Sequence, residues 1–237
     1  MLSNVSVVIP ALNEAESIGQ VVRAVLAEAQ APGPWGEIAE CIVVDNGSTD
    51  ATAEIARAAG ARVVESERGY GAAAHAGAMA ALESSTVIVF LDGDGSDVVK
   101  QMPRVLWPVL RDEADFVVGS RLRGWRERGS MNMSQVFAAK LIGTLVRMFY
   151  GFRYTDMGPM RAIRRDALEA MQMTEMTYGW NLEMQIKAVK MGMRVKEVAV
   201  DYRRRIGGES KVSGNVRASM KAGVRILGVL WRMRKSA

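Results

Sequence analysis

Short apolar runs recur along the chain, each closed by polar turn residues. Val5-Ser6-Val7-Val8-Ile9, Cys41-Ile42-Val43-Val44, Val63-Val64, Val87-Ile88-Val89-Phe90-Leu91 and Phe116-Val117-Val118 read as strands, the longer ones covered on both faces. Between them the apolar positions change to helical spacing. Ile18, Val21, Val22, Val25 and Leu26 mark one face of a helix from about Ala15 to Ala29, which Ala31-Pro32-Gly33-Pro34-Trp35-Gly36 breaks. Asn46 to Asp50 offers N-caps for a helix to Ala59. Val98 to Leu110 is helical in pattern, interrupted by Pro103 and Pro108, and Val136, Phe137, Leu141, Leu145 and Met148 define an amphipathic helix from Ser134 to Tyr150. Strand and helix alternating in this way predict an α/β domain with a mostly parallel twisted sheet and right-handed crossovers.

The strands end in charge. Asp45 closes the second, and the fourth runs into Asp92-Gly93-Asp94-Gly95-Ser96-Asp97. Open α/β sheets bind ligands at the carboxyl ends of their strands. Glycines between the acids let Asp92 and Asp94 turn toward one cation, which predicts Mg²⁺ or Mn²⁺ completed by water and phosphate oxygens. The fifth strand ends in a cation, Arg121, whose planar fork suits a phosphate. Leu122 to Ser130, rich in charge, reads as a mobile loop.

Composition narrows the chemistry. In 237 residues there is one cysteine, Cys41, which excludes disulfide scaffolds and Cys-based metal clusters, and one histidine, His75, which argues against His-ligated zinc and His-based triads unless it serves alone. His75 reads as a helix-surface residue. The amino terminus lacks the basic and apolar regions of a signal peptide, and no apolar run is long enough to span a membrane. These features predict a cytoplasmic protein. A rival reading rests on Gly69-x-Gly71-x-x-Ala74, which matches a dinucleotide fingerprint and has Asp92 21 residues beyond Gly71, near the place of a ribose-binding acid. Against a NAD-dependent enzyme, Ser66-Glu67-Arg68 separates the glycines from their strand, and Asp45 and Asp94 stay unexplained.

Taken in order, Pro10-Ala11-Leu12-Asn13-Glu14, Val44-Asp45-Asn46-Gly47-Ser48-Thr49-Asp50, Gly69-Tyr70-Gly71, Leu91-Asp92-Gly93-Asp94 and Gly119-Ser120-Arg121 resemble the motifs of family 2 glycosyltransferases. Thr155 to Arg161, Tyr178 to Glu183 and Arg205 to Lys211 resemble its polyprenyl-phosphate branch, which includes dolichol-phosphate mannosyltransferase. The resemblance implies a GT-A fold and metal-dependent, inverting transfer from a nucleoside-diphosphate sugar (UDP- or GDP-linked) to an acceptor. That acceptor is expected to be a polyprenyl phosphate, with a soluble small molecule as the alternative. It further implies that Pro10, Ala11, Asn13, Glu14, Asp45, Gly71 and Gly93 line the nucleotide-sugar site and that Asp92 and Asp94 hold the metal. Arg205 and Lys211 would close over the phosphates, and Arg121 would meet the acceptor. Asp156 is the first candidate for a catalytic contact and Glu183 the second. Trp180 either stacks on sugar or fills core. Some members of the branch carry Gln where this chain has Ser96.

One domain is expected over residues 1–237: a nucleotide-sugar half to 121, an acceptor half over 122–212, and a basic amphipathic tail over 213–237. From Arg203 onward there are ten Lys or Arg residues and one acid, Glu209. Val216, Met220, Val224, Leu227 and Trp231 form a stripe flanked by Arg217, Lys221, Arg225 and Arg232, a pattern that suits an anionic membrane surface and equally suits packing on a domain. Nucleic acid is not an expected partner, because the tail lacks interleaved aromatics. Eleven of sixteen methionines fall between Met131 and Met193, as core filling or as the lining of a lipid-facing groove.

Overall fold

A computed structural model describes residues 3–30, 36–207, 225–226 and 228–233. The expected break at 31–35, most of the basic tail and its apolar stripe, and Lys211 lie outside these residues. Seven strands form one sheet in the order β3-β2-β1-β4-β6-β5-β7. They are β1 (Ser3–Ala11), β2 (Gly36–Asp45), β3 (Arg62–Glu65), β4 (Ser85–Phe90), β5 (Phe116–Ser120), β6 (Arg161–Arg164) and β7 (Val195–Ala199). Helices α1 (Ile18–Ala29), α2 (Thr52–Ala58) and α4 (Met102–Leu110) pack on one face. Helices α3 (Tyr70–Ala80), α5 (Met133–Tyr150), α6 (Arg165–Met171) and α7 (Trp180–Lys190) pack on the other, joined by helical residues 228–233.

The apolar runs become central strands because both their faces are covered. Val7, Val8, Ile9, Ile42, Val43, Ile88 and Val89 have no exposure at all. Parallel pairing of β1 with β2 and β4 brings Ala11 level with Asp45 and Val8 level with Phe90, so the acids after β2 and β4 share one sheet edge.

Strand β6 is the exception, and it makes the site. It runs antiparallel to β4 and β5, pairing Arg161 with Phe90 and Val118. Its amino end therefore lies where its neighbours have their carboxyl ends, which brings Thr155 to Met160 to the same edge. Strand β7 is parallel to β5, with Ala199 level with Ser120, so the chain leaving it toward Arg205 also emerges there. The segment Leu122 to Ser130 is tied to that exit, Tyr202 donating its amide to Trp125 (2.9 Å) and accepting from Glu127 (2.9 Å). It is held where a mobile loop was expected. Met160, Met171, Met173 and Met184 are buried in the core.

Candidate active site

A cavity of about 1220 Å³ opens along this edge. Pro10, Ala11, Glu14, Asp92, Gly93, Asp94, Arg121 and Arg205, all expected at the site, line it together. They arrive from four strand ends, those of β1, β4, β5 and β7, so the sheet's register fixes their relation.

The acidic turn is built tightly. The Ser17 hydroxyl donates to the Gly93 carbonyl (2.8 Å), the Ser96 amide to Asp94 Oδ1 (2.9 Å), and the Asp92 amide to Asp97 Oδ2 (3.1 Å). Gly93 is buried under Ile18, Pro10 and Ala11, leaving little room for a side chain. Gly95 has φ of 74° and lies under Ile206, so a Cβ there would be both strained and in collision. The chain from Tyr202 to Ile206 crosses above: the Ile206 amide donates to the Asp94 carbonyl (3.0 Å) and the Arg203 amide to the Ser96 carbonyl (2.9 Å).

Burial and neighbouring charge raise Asp92 and Asp97. Burial first, and the Asp94 charge second, push Asp92 up to about 7. Burial and Asp92 push Asp97 well above the carboxylate range, and its Oδ1 has no hydrogen-bond partner among the described residues. Tyr70 donates its hydroxyl to Asp92 Oδ1 (3.2 Å). Two cavity-facing carboxylates in mutual repulsion, beside an orphaned buried oxygen, fit a divalent cation, which would relieve both. Among the described residues no group of three metal-ligating side chains occurs, so phosphate or water oxygens would have to complete the shell.

Cations face these acids. Arg205 Nη2 sits 3.0 Å from each Glu14 oxygen, and its Nε donates to the Gly207 carbonyl (2.8 Å). Arg121 stacks over the Tyr202 ring, 4.9 Å from the centroid, and forms a two-pronged pair with Asp156. Arg161 is fully buried and donates to the carbonyls of Gly158 and Pro159.

Several expected site residues stand outside the cavity wall. Asp156 is 1% exposed, spent on Arg121 and on the Met157 amide (2.8 Å). Glu183, also 1% exposed, accepts from the Thr174 amide and hydroxyl and the Glu175 amide and pairs with Lys187, so it anchors a loop. Asp45 accepts the Ser48 amide (3.0 Å). Asn13, at φ of 51°, bridges to Ser48 and Thr49. Asn13 thus braces the β1 exit against the turn that follows β2, and Asp45 closes that turn. Trp180 is core, and His75 is half-buried with its ring 6.0 Å from that of Trp180, which corrects its reading as a surface residue.

The glycines of the rival dinucleotide reading have another task. A Cβ on Gly71 would collide with the Glu175 and Met176 backbone, and one on Gly69 with the Met176 carbonyl. The Ala72 amide donates to that same carbonyl (2.9 Å). The start of α3 is thus filled by protein backbone where a pyrophosphate would have to sit, and the NAD reading falls.

The cavity also contains residues that were not anticipated: Asn46, Arg68, Tyr70, Thr177, Asn181 and, from the carboxyl-terminal helix, Arg225, Gly228 and Arg232. Their partners are remote in sequence. Asn46, Tyr70 and Asn181 fall within the motifs Val44 to Asp50, Gly69-Tyr70-Gly71 and Tyr178 to Glu183 without having been singled out, and Arg225 and Arg232 flank the apolar stripe expected of the tail.

The family model described as glycosyl transferase family 2 matches residues 6–171. An uncharacterized glycosyltransferase of Mycobacterium tuberculosis is 37% identical over 224 residues, covering 92% of this chain and 94% of that one. The undecaprenyl-phosphate mannosyltransferase of Micrococcus luteus is 32% identical over 225 residues, 88% of this chain and 87% of that one. Among solved structures, glucosyl-3-phosphoglycerate synthase from M. tuberculosis, in complex with Mn²⁺, UDP and phosphoglyceric acid, is similar with a TM-score of 0.76 at 21% identity. That likeness, over 98% of this chain and 78% of the synthase, is one of fold.

Proposed function

The chain belongs to glycosyl transferase family 2, and from that premise we propose that its cavity binds a UDP- or GDP-linked sugar and transfers the sugar to a polyprenyl phosphate. The observation that carries this reading is the division of charge within one cavity, Asp92 and Asp94 opposite Arg121 and Arg205. Asp92 and Asp94 would hold Mg²⁺ or Mn²⁺, which when bound offsets the charge developing on the departing nucleoside diphosphate. Pro10, Ala11 and Glu14 would face the nucleoside, braced from behind by Asn13 and Asp45.

In the transfer, an acceptor oxygen bonds to the anomeric carbon as the bond from that carbon to the diphosphate oxygen breaks. The nucleoside diphosphate leaves with the electron pair and the configuration inverts. A phosphate monoester is already an anion at neutral pH, so orientation matters more than proton removal. This agrees with a cavity lined by Arg121 and Arg205 whose nearby acids Asp156 and Glu183 stand outside its wall. Arg121 would orient the acceptor phosphate, and Asp156 would orient Arg121.

Two features support a lipid acceptor. One is the relative named for undecaprenyl phosphate. The other is the apolar surface of α5, where Met133, Phe137, Leu141 and Met148 are exposed. No helix among the described residues is long and apolar enough to cross a membrane. A soluble phosphate-bearing acceptor is the second reading, favoured by the fold neighbour in complex with phosphoglyceric acid.

Thermal unfolding with UDP or GDP, each with Mn²⁺ or chelator, tests the donor site. A ligand at a hundred times its Kd stabilises the native state by about 2.7 kcal/mol. Metal-dependent stabilisation by one nucleotide is expected, followed by transfer from its sugar conjugate to undecaprenyl phosphate. Stabilisation indifferent to chelator would overturn the metal assignment, and transfer to 3-phosphoglycerate alone would replace the lipid.

A further inference from the structure

Helix α5 carries two apolar faces, and the core uses one of them. Ala139, Ile142 and Val146 are buried, which is the single apolar face a surface helix needs. Met133, Phe137, Leu141 and Met148, spaced by four, four and seven residues, line up as a second stripe on the far side. These four are exposed by 83%, 67%, 44% and 65%. A continuous row of large apolar side chains in water marks a contact surface, whereas single ones scattered over a protein do not.

The charge around the stripe has one sign. Lys140 and Arg147, seven residues apart and both exposed, run beside it. Between Glu127 and Asp156 the sequence has no acid at all. The two acids that bound this stretch are already engaged: Glu127 accepts the Arg204 amide (2.9 Å), and Asp156 is buried on Arg121. The face therefore lacks an anion of its own, and this limits what can cover it. A second copy packed about a twofold axis would set the same cations against each other. The segment from Arg203 onward, with ten cations and one acid, would do the same. An anionic apolar surface answers both the charge and the stripe.

We infer that the outer face of α5 is a docking surface for an anionic lipid bilayer, with the stripe against the acyl chains and Lys140 and Arg147 at the phosphate headgroups. Long cationic side chains suit that boundary, because their stems cover apolar surface while their charged ends stay in the polar layer. The chain reaches the cavity wall at Met157, seven residues beyond Tyr150 at the end of α5. A bilayer held by α5 is thus joined to the cavity by a short segment. The inference deepens the lipid reading of the acceptor and rests on it for its purpose: a lipid phosphate lies in the layer to which α5 holds the enzyme.

Cosedimentation of the full chain with vesicles tests it, using phosphatidylcholine alone or mixed with phosphatidylglycerol. Binding to the mixed vesicles is expected, weakening as salt rises and slight with phosphatidylcholine alone. Phe137→Gln with Leu141→Gln should lower the partition coefficient about tenfold or more, through lost apolar burial. Lys140→Gln with Arg147→Gln should lower it about twentyfold at low salt, as two headgroup cations imply. All four positions are exposed and Gln is a good helix former, so both variants should keep the wild-type Tm. Wild type that ignores the mixed vesicles overturns the inference, as do variants that bind them like wild type. A dimer formed without lipid and dissolved by the Phe137 and Leu141 changes gives the face to a second copy and overturns it too. Sugar transfer to farnesyl phosphate and to 3-phosphoglycerate, measured without vesicles, separates the two readings. Transfer to 3-phosphoglycerate alone sinks the lipid acceptor, even where vesicle binding through α5 upholds the docking surface. Transfer to farnesyl phosphate with vesicle binding indifferent to α5 sinks the docking surface and leaves the lipid acceptor standing.

Discussion

Arg121 and Asp156 hold each other by three hydrogen bonds. Arg121 donates through its own amide (3.0 Å) and Nε (2.7 Å) to Oδ2 and through Nη2 (2.9 Å) to Oδ1. The pair joins the end of β5 to the segment that leads into β6, at the point where the antiparallel strand is inserted. It therefore couples sheet architecture to the direction in which a cavity cation points.

Asp156→Asn should break both. Burial pushes the Asp156 carboxyl up, but the Arg121 charge and its hydrogen bonds outweigh this and hold it below its ordinary value of 3.8. Losing one partner of a buried pair costs about 3 kcal/mol or more. A carboxyl depressed in the folded state contributes stability that is present above its unfolded value and lost as pH falls through its folded one. The difference in urea midpoint between wild type and Asp156→Asn should accordingly be full at pH 7 and shrink below about pH 4. A difference that stays constant from pH 7 to pH 3 would contradict the pairing.

Asp92 gives the opposite sign. Its folded value, about 7, lies above the ordinary 3.8 because of burial and Asp94. Raising the pH through that interval ionises the unfolded chain before the folded one, so the metal-free protein should lose stability between about pH 4 and pH 7. Asp92→Asn removes the penalty. In chelator at pH 8 this variant should be more stable than wild type by on the order of 2 kcal/mol, and it should no longer be stabilised by Mn²⁺ with nucleotide. Urea titrations with and without metal check both halves, and a variant weaker than wild type in chelator would count against the electrostatic account.

The central sheet and its acidic edge were legible because they are local. Continuous apolar runs from Val87 to Leu91 and from Cys41 to Val44 mark strands buried on both faces, and the acids follow directly. A GT-A type fold implied by the motifs is the fold found. Strands β6 and β7 escaped notice. Arg-Ala-Ile-Arg carries charges at both ends, and Arg161 is buried only because backbone carbonyls at Gly158 and Pro159 receive it. Val-Lys-Glu-Val-Ala is an edge strand with polar residues between apolar ones. The site was half legible for the same reason. Asp92 and Asp94 are neighbours in sequence, whereas Tyr70 meets Asp92 across 22 residues and Arg232 meets Glu175 across 57, relations that only tertiary packing creates.

Gly71→Ala tests whether the glycine pair serves packing. A methyl at this position would overlap the Glu175 and Met176 backbone, which cannot yield as a flexible side chain could. Overpacking of this kind costs about 1–3 kcal/mol. The variant should therefore lose thermal stability, read as a lower Tm. An Ala variant as stable as wild type would remove the packing role.

Glu183→Gln separates anchoring from chemistry. The carboxylate receives the Thr174 amide and hydroxyl and the Glu175 amide, with Lys187 Nζ at 2.9 Å. Those bonds outweigh burial and hold the acid below its ordinary value, so it remains charged and engaged at neutral pH. A catalytic base needs a carboxylate that reaches the acceptor and titrates near the working pH, and Glu183 has neither feature in this arrangement. The Gln variant keeps the shape and one acceptor oxygen while losing the charge that pairs with Lys187. It should cost about 1–3 kcal/mol in stability and leave kcat within a few-fold of wild type, with an unchanged pH profile. A fall in kcat of a hundredfold or more in a folded variant would return Glu183 to the chemistry and require the loop from Thr174 to Thr177 to rearrange when substrate binds.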